Sequence, residues 1–103
     1  MPRVVYIYGP AATGKTRLIN EIFHRTTGTV VMNDKKFSFI DYYSQSISPY
    51  MLRLVHPNYD YLIVTSNNVP STAFPLHLDH VFRLDNAASI REVRSFLNSI
   101  VWA

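Results

Sequence analysis

Gly9-Pro10-Ala11-Ala12-Thr13-Gly14-Lys15-Thr16 fits the pattern G-x-x-x-x-G-K-[ST], and its flanks decide how it is read. Val4, Val5, Tyr6, Ile7 and Tyr8 before it form an apolar run of strand length. Arg17 to His24 after it carry Leu18, Ile19, Ile22 and Phe23 at helical spacing. Strand, loop and helix in that order are the context in which such a loop binds phosphate. The chain has 3 glycines, and two of them stand here. At about 7% glycine, chance would produce the pattern in roughly a few per thousand chains of this length.

Each position of the stretch has a physical task. Gly9 and Gly14 permit backbone angles and close approaches that a Cβ would block, so successive N–H groups can turn inward around phosphate oxygens. Pro10, Ala11, Ala12 and Thr13 complete the cradle, and Arg17 follows it. Lys15 is expected to reach the β and γ phosphates, and the Thr16 hydroxyl to be a magnesium ligand. The helix that begins here adds the partial positive charge of its N-terminus.

The 103 residues predict a single domain, residues 1–103, near the small end of what buries its own core, and 48% hydrophobic content is enough to fill one. No apolar stretch approaches a membrane span, and Met1-Pro2-Arg3 leads straight into a strand without a secretory leader, so a soluble, intracellular chain is expected. With no cysteine, disulfides, thiolate catalysis and Cys-based zinc sites are excluded. A net charge of +3 permits a nucleic acid partner without demanding one. Lys35-Lys36 is the one adjacent basic pair and reads as a solvated turn.

Further along, Thr26-Thr27-Gly28 predicts the end of the first helix, with Gly28 as its left-handed cap. Thr29 to Met32 and Phe37 to Ile40 read as short strands around the turn-like Asn33-Asp34-Lys35-Lys36, either a hairpin or consecutive strands of a sheet. Ser48-Pro49 opens a short helix over Tyr50 to Val55, closed by His56-Pro57. Tyr61 to Thr65 is a strand followed by Ser66-Asn67-Asn68, and Ser71 to Leu78 is loop or a single turn. Val81 to Leu84 is the last strand. Asp85-Asn86 caps a final helix from Ala87 to Val101, with Ile90, Val93, Phe96 or Leu97, Ile100 and Val101 inward and Arg91, Arg94 and Asn98 outward.

Strands alternating with helices predict an α/β fold with a mainly parallel sheet of about five strands. Ligands of such sheets bind at the carboxyl ends of the strands, which gathers Gly9 to Thr16, Asp41 and Ser66-Asn67-Asn68 on one edge. Phe37-Ser38-Phe39-Ile40-Asp41, an apolar strand ending in a carboxylate, has the form of a magnesium-holding element, with Asp34 its rival. Asn67, at the end of another apolar strand, is placed to bond the γ phosphate or orient a water. The expected catalytic set is Lys15, Asp41 and Asn67, and the metal set is Thr16 and Asp41.

These three elements resemble the ATPase domain of superfamily 3 helicases, most closely the Rep replication initiators of circoviruses and related CRESS DNA viruses. The likeness rests on Gly9 to Thr16, then Phe39-Ile40-Asp41-Tyr42-Tyr43 with Ile47 to Leu54 behind it, then Ile63-Val64-Thr65-Ser66-Asn67, and extends weakly over Leu78 to Leu84. It implies an ASCE or AAA+-like P-loop NTPase that uses ATP and magnesium and assembles as a homo-oligomeric ring on single-stranded DNA during replication. It also implies a location in the host nucleus for a eukaryotic DNA virus, and in the cytoplasm otherwise. The chain departs from the pattern in several places. Tyr42 stands where the family usually has a second acid that serves as general base. His56 to Asp60 replaces a Lys- and Gly-containing DNA hairpin, and no Arg stands near Leu76-His77, where the arginine finger is usual, although Arg83, Arg91 and Arg94 follow. A nuclease domain upstream is not expected, since the loop begins at Gly9. ATP binding with slow hydrolysis is therefore the expectation.

The rival readings are a small P-loop nucleotide kinase, for which no Arg-rich lid is seen, and a regulatory subunit that binds nucleotide and a full-length replication protein without efficient turnover. A GTPase lacks its Asn-Lys-x-Asp motif. His77-x-x-His80 has metal-ligand spacing, but there is no Cys and no nearby carboxylate beyond Asp79, so a zinc site is not expected. Among the seven tyrosines, Tyr42, Tyr43, Tyr59 and Tyr61 are the candidates for base stacking.

Overall fold

The computed structural model describes residues 3–10, 13–41, 59–70, 74 and 76–102. In chain order they form β1 (Arg3–Tyr8), α1 (Lys15–Phe23), β2 (Gly28–Met32), β3 (Lys35–Ile40), β4 (Tyr61–Ser66), β5 (His80–Arg83) and α2 (Ala87–Trp102). The strands make one five-stranded sheet in the order β2-β3-β4-β1-β5. β3, β4, β1 and β5 run parallel, and β2 pairs antiparallel with β3 at the edge. The fold is thus α/β with a mostly parallel sheet. The helix expected over Tyr50 to Val55 lies outside the described residues, as do Tyr42 and Tyr43.

Successive side chains of a strand point to opposite faces, and the inner strands of this sheet are apolar on both, as a parallel sheet covered on two sides requires. Val5, Ile7, Phe37, Phe39 and Ile63 join Leu18, Ile19 and Phe23 of α1 and Val93, Leu97, Ile100 and Val101 of α2 in the larger core cluster. Val4, Tyr6, Leu62 and Val64 point the other way and pack with Tyr59, Phe74, Leu76 and Leu78. The segment between β4 and β5 is tied across that second face. The Tyr6 hydroxyl donates to the Asn68 carbonyl at 3.0 Å, and the Val4 N–H donates to Asp79 Oδ2 at 2.7 Å.

Several sequence expectations need correction. α1 starts at Lys15, not Arg17, because Gly14 at φ 91° turns the chain into it. Its cap is His24 in the left-handed region, φ 57°, whose N–H donates to the Asn20 carbonyl. Gly28 has positive φ but opens β2 instead of closing the helix. β2 and β3 resolve as a hairpin whose two-residue turn is Asn33-Asp34, both at positive φ, as the turn twist that suits paired strands demands. β5 ends at Arg83, and Leu84 leaves the strand to enter the core, fully buried, its N–H still donating to the Tyr8 carbonyl at 2.7 Å.

α2 begins where Asp85-Asn86 predicted. Asn86 Oδ1 accepts from the Ser89 N–H at 2.8 Å while Ser89 Oγ accepts from the Asn86 N–H at 3.0 Å, a reciprocal cap. Leu97, not Phe96, takes the buried position; Phe96 instead packs against His80 and Phe82 at ring separations of 4.6 and 4.8 Å. Arg94, expected outward, bridges back to Glu21 of α1 at 2.8 Å.

Candidate functional site

The parallel strands β3, β4, β1 and β5 all end on the same edge, and the candidate residues follow them in a row. Asp41 follows β3, Asn67 follows β4, Gly9 follows β1, and Arg83 closes β5. The Gly9 N–H donates to the Ser66 carbonyl at 3.2 Å, which seats the start of the loop against β4. A Cβ at Gly9 would run into the Leu84 carbonyl oxygen, so the residue must be glycine for the loop to lie this close to the end of β5. Gly14 occupies the left-handed region with open space around it, so conformation and not crowding selects glycine there.

Lys15 is 3% exposed, and its side chain turns back beneath the loop. Its Nζ donates to the carbonyls of Gly9 at 3.0 Å and Pro10 at 2.8 Å, and to Thr13 Oγ1 at 3.3 Å. Three ammonium protons thus meet three acceptors, the condition for burying this charge. Desolvation still holds the Lys15 pKa below its usual value, opposed by the negative charge of Asp41. Among the described residues no side chain caps the start of α1, whose N-cap is Gly14, and helix N-termini of this kind suit an anion.

Asp41 joins the loop from the side of β3. Its Oδ1 accepts from Thr16 Oγ1 at 3.0 Å and from Thr65 Oγ1 at 2.7 Å. A hydroxyl and a carboxylate oxygen this close suit a hard cation such as magnesium, which is commonly held by one or two carboxylates together with water and phosphate oxygens. That donor set needs no cluster of three acidic or histidine ligands, and none is present among the described residues. Asp34 sits in the hairpin turn at the opposite edge of the sheet, more than about 20 Å from Asp41 at roughly 3.3 Å per strand residue. Of the two candidate acids, only Asp41 stands with the loop.

Asn67 is exposed and borders a cavity of about 340 Å³ with Tyr8, Gly9, Pro10 and Arg83. A second cavity, about 210 Å³, opens at the other end of the loop between α1 and α2, bordered by Thr13, Gly14, Arg17, Leu18, Ile90 and Arg94. Arg17 is exposed on its rim. Ala11 and Ala12 lie outside the described residues. Sequence reasoning does not single out Thr65, although a hydroxyl closing the apolar run Leu62-Ile63-Val64 is an available signal; it notes Arg83 only as following the usual place of an arginine finger.

Other candidates go elsewhere. His80 packs its ring against Phe96, while His77 is exposed beside Asp79, so the pair does not converge. Tyr59 is buried, and Tyr61 stacks on Phe37 at 5.4 Å, so both rings serve the core and not an open base-binding surface.

Fold and site together define an α/β protein whose mostly parallel sheet carries a G-x-x-x-x-G-K-[ST] loop at its carboxyl edge, with a carboxylate hydrogen-bonded to the loop's threonine. A family model described as Parvovirus non-structural protein NS1 matches residues 3–56, just over half the chain. The chain belongs to that family, a family of viral replication proteins. No curated protein and no solved structure matches it.

Proposed function

We propose that the chain is a nucleotide-binding domain of superfamily 3 helicase type that holds ATP with magnesium on Gly9 to Thr16 and hydrolyses it slowly in viral DNA replication. The observation that carries this reading is the Thr16–Asp41 hydrogen bond, 3.0 Å between residues 25 apart in sequence. It joins the loop to the strand-end acid at the place where a phosphate-bound cation needs both. Family membership supports the replication context. Single-stranded DNA, a ring of identical copies or a full-length replication protein are the partners this reading implies, and the place is the host nucleus for a eukaryotic DNA virus and the cytoplasm otherwise.

In this reading Lys15 exchanges its loop carbonyls for phosphate oxygens, and the N–H groups of α1's first turn complete the cradle. Thr16 and Asp41 would hold magnesium, which when bound neutralises charge on the β and γ phosphates. Asn67 orients the water. Both Asp41 bonds fall on Oδ1, which leaves Oδ2 for a cation or its water.

Calorimetric titration with ATP and magnesium tests the proposal. Lys15→Ala removes hydrogen bonds to a charged group worth roughly 1.5–3 kcal/mol, so affinity should fall at least about tenfold. Unchanged affinity would sink the proposal. A second reading, nucleotide binding without efficient turnover, is favoured by Tyr42 in place of the family's usual second acid. Phosphate release that stays at background with saturating ATP and single-stranded DNA would select it.

A further inference from the structure

Thr65 puts a hydroxyl into a row of apolar side chains. Along β4, Leu62 and Val64 pack on one face of the sheet and Ile63 on the other, with the helices, and alternation carries Thr65 to the helix side as well. It is 3% exposed. The register of β3 against β4 pairs Ile40 with Val64, so the next residue of each chain segment, Asp41 and Thr65, come level there. Thr65 Oγ1 donates to Asp41 Oδ1 at 2.7 Å, and Thr16 Oγ1 donates to the same oxygen at 3.0 Å from the start of α1.

Two donors on one oxygen decide what the carboxylate can still do. A carboxylate has about four acceptor directions, about two on each oxygen, so the two hydroxyls fill Oδ1. Oδ2 is left for a cation or its water, and chelation through both oxygens is closed off. Calcium takes about 6–8 oxygens and accepts one or both from a carboxylate, whereas magnesium demands a near-octahedral set and keeps several waters. An Asp41 that offers one oxygen therefore suits the smaller ion. The terminal torsion of an aspartate is broad, so this orientation lasts only while the carboxylate is held. A β-branched side chain buried in a central strand is stiff enough to hold it from the side opposite the loop.

We propose that Thr65 is a positioning residue that keeps Asp41 a one-oxygen ligand and thereby favours magnesium over calcium at the phosphate loop. This rests on the phosphate-loop reading above. Thr65 acts through Asp41 and needs no contact with nucleotide or cation. Loss of an outer partner of a metal ligand costs about 10–100-fold in metal affinity or activity in other sites.

The test follows ADP binding by calorimetry while magnesium chloride or calcium chloride is titrated in, with ADP in EDTA as the cation-free reference for each variant. Thr65→Val removes the hydroxyl and keeps the shape. It should raise the magnesium midpoint at least about tenfold and the calcium midpoint no more than about threefold, so the preference for magnesium shrinks. Thr65→Ser keeps the hydroxyl and should stay within about threefold of the wild type for both ions. A thermal melt checks folding, and Thr65→Ala gives the same comparison if Thr65→Val does not fold. Equal shifts for the two cations, no shift for either, or Thr65→Ser behaving as Thr65→Val overturns the proposal. Failure of the loop reading shows separately, in the chain with Thr65 intact, as ADP that binds at no magnesium concentration or that binds Lys15→Ala equally well, and it removes the basis for Thr65 too.

Discussion

At Lys15, burial and charge oppose each other. The ammonium is satisfied by Gly9, Pro10 and Thr13, yet desolvation outweighs the attraction of Asp41 and lowers its pKa. The unfolded chain therefore holds this proton more tightly than the folded one. Stability should rise with pH across the window between the depressed folded value and the unfolded value near 10.4, and the penalty is present in full below that window. Lys15→Met removes the charge at similar length, so denaturant titrations in that window should lose this upward slope. A slope unchanged by the substitution would assign it to another group. The pattern around Gly14 marked Lys15 in the sequence; that its charge would be buried did not show there, because the acceptors are carbonyls any residue carries.

Among the elements, the β2–β3 hairpin separates two acids that looked alike in sequence. Asn33 and Asp34, at φ 50° and 63°, occupy a conformation that glycine adopts without cost. Asp34→Gly should raise stability by up to about 1 kcal/mol, seen as a higher urea midpoint. ATP–magnesium affinity should not change, since Asp34 lies at the far edge of the sheet; an affinity loss would restore it as a metal residue. The short interval between Met32 and Phe37 allowed a hairpin or two separate strands. Pairing of Gly28 with Phe39 and of Met32 with Lys35 decides for the hairpin. The helix cap was misread for a related reason. His24 takes the left-handed turn, so Gly28 is left to begin the next strand.

For the whole molecule, the consequence of the proposed site is linkage. A ligand that binds only the folded chain at a hundred times its Kd adds about 2.7 kcal/mol of stability. In a domain of this size that corresponds to a Tm increase of roughly 10–20 °C. Scanning calorimetry with ATP and magnesium should show this shift in the wild-type chain and a much smaller one in Lys15→Ala. An equal shift in both would place the nucleotide elsewhere.

What the sequence by itself determined is local. Apolar runs of strand length, helical spacing after the loop, and the glycines and lysine of residues 9–16 act over a few neighbours, so they are visible without the fold. The α/β class and the phosphate-loop candidate follow from them. What only the tertiary structure decided is proximity across the sheet. The insertion of β4 between β3 and β1 brings Thr65 to Asp41, and the placement of β5 beside β1 brings Arg83 and the Leu84 carbonyl to Gly9. Strand order depends on how two apolar faces are covered at once, and no single stretch of sequence carries that information.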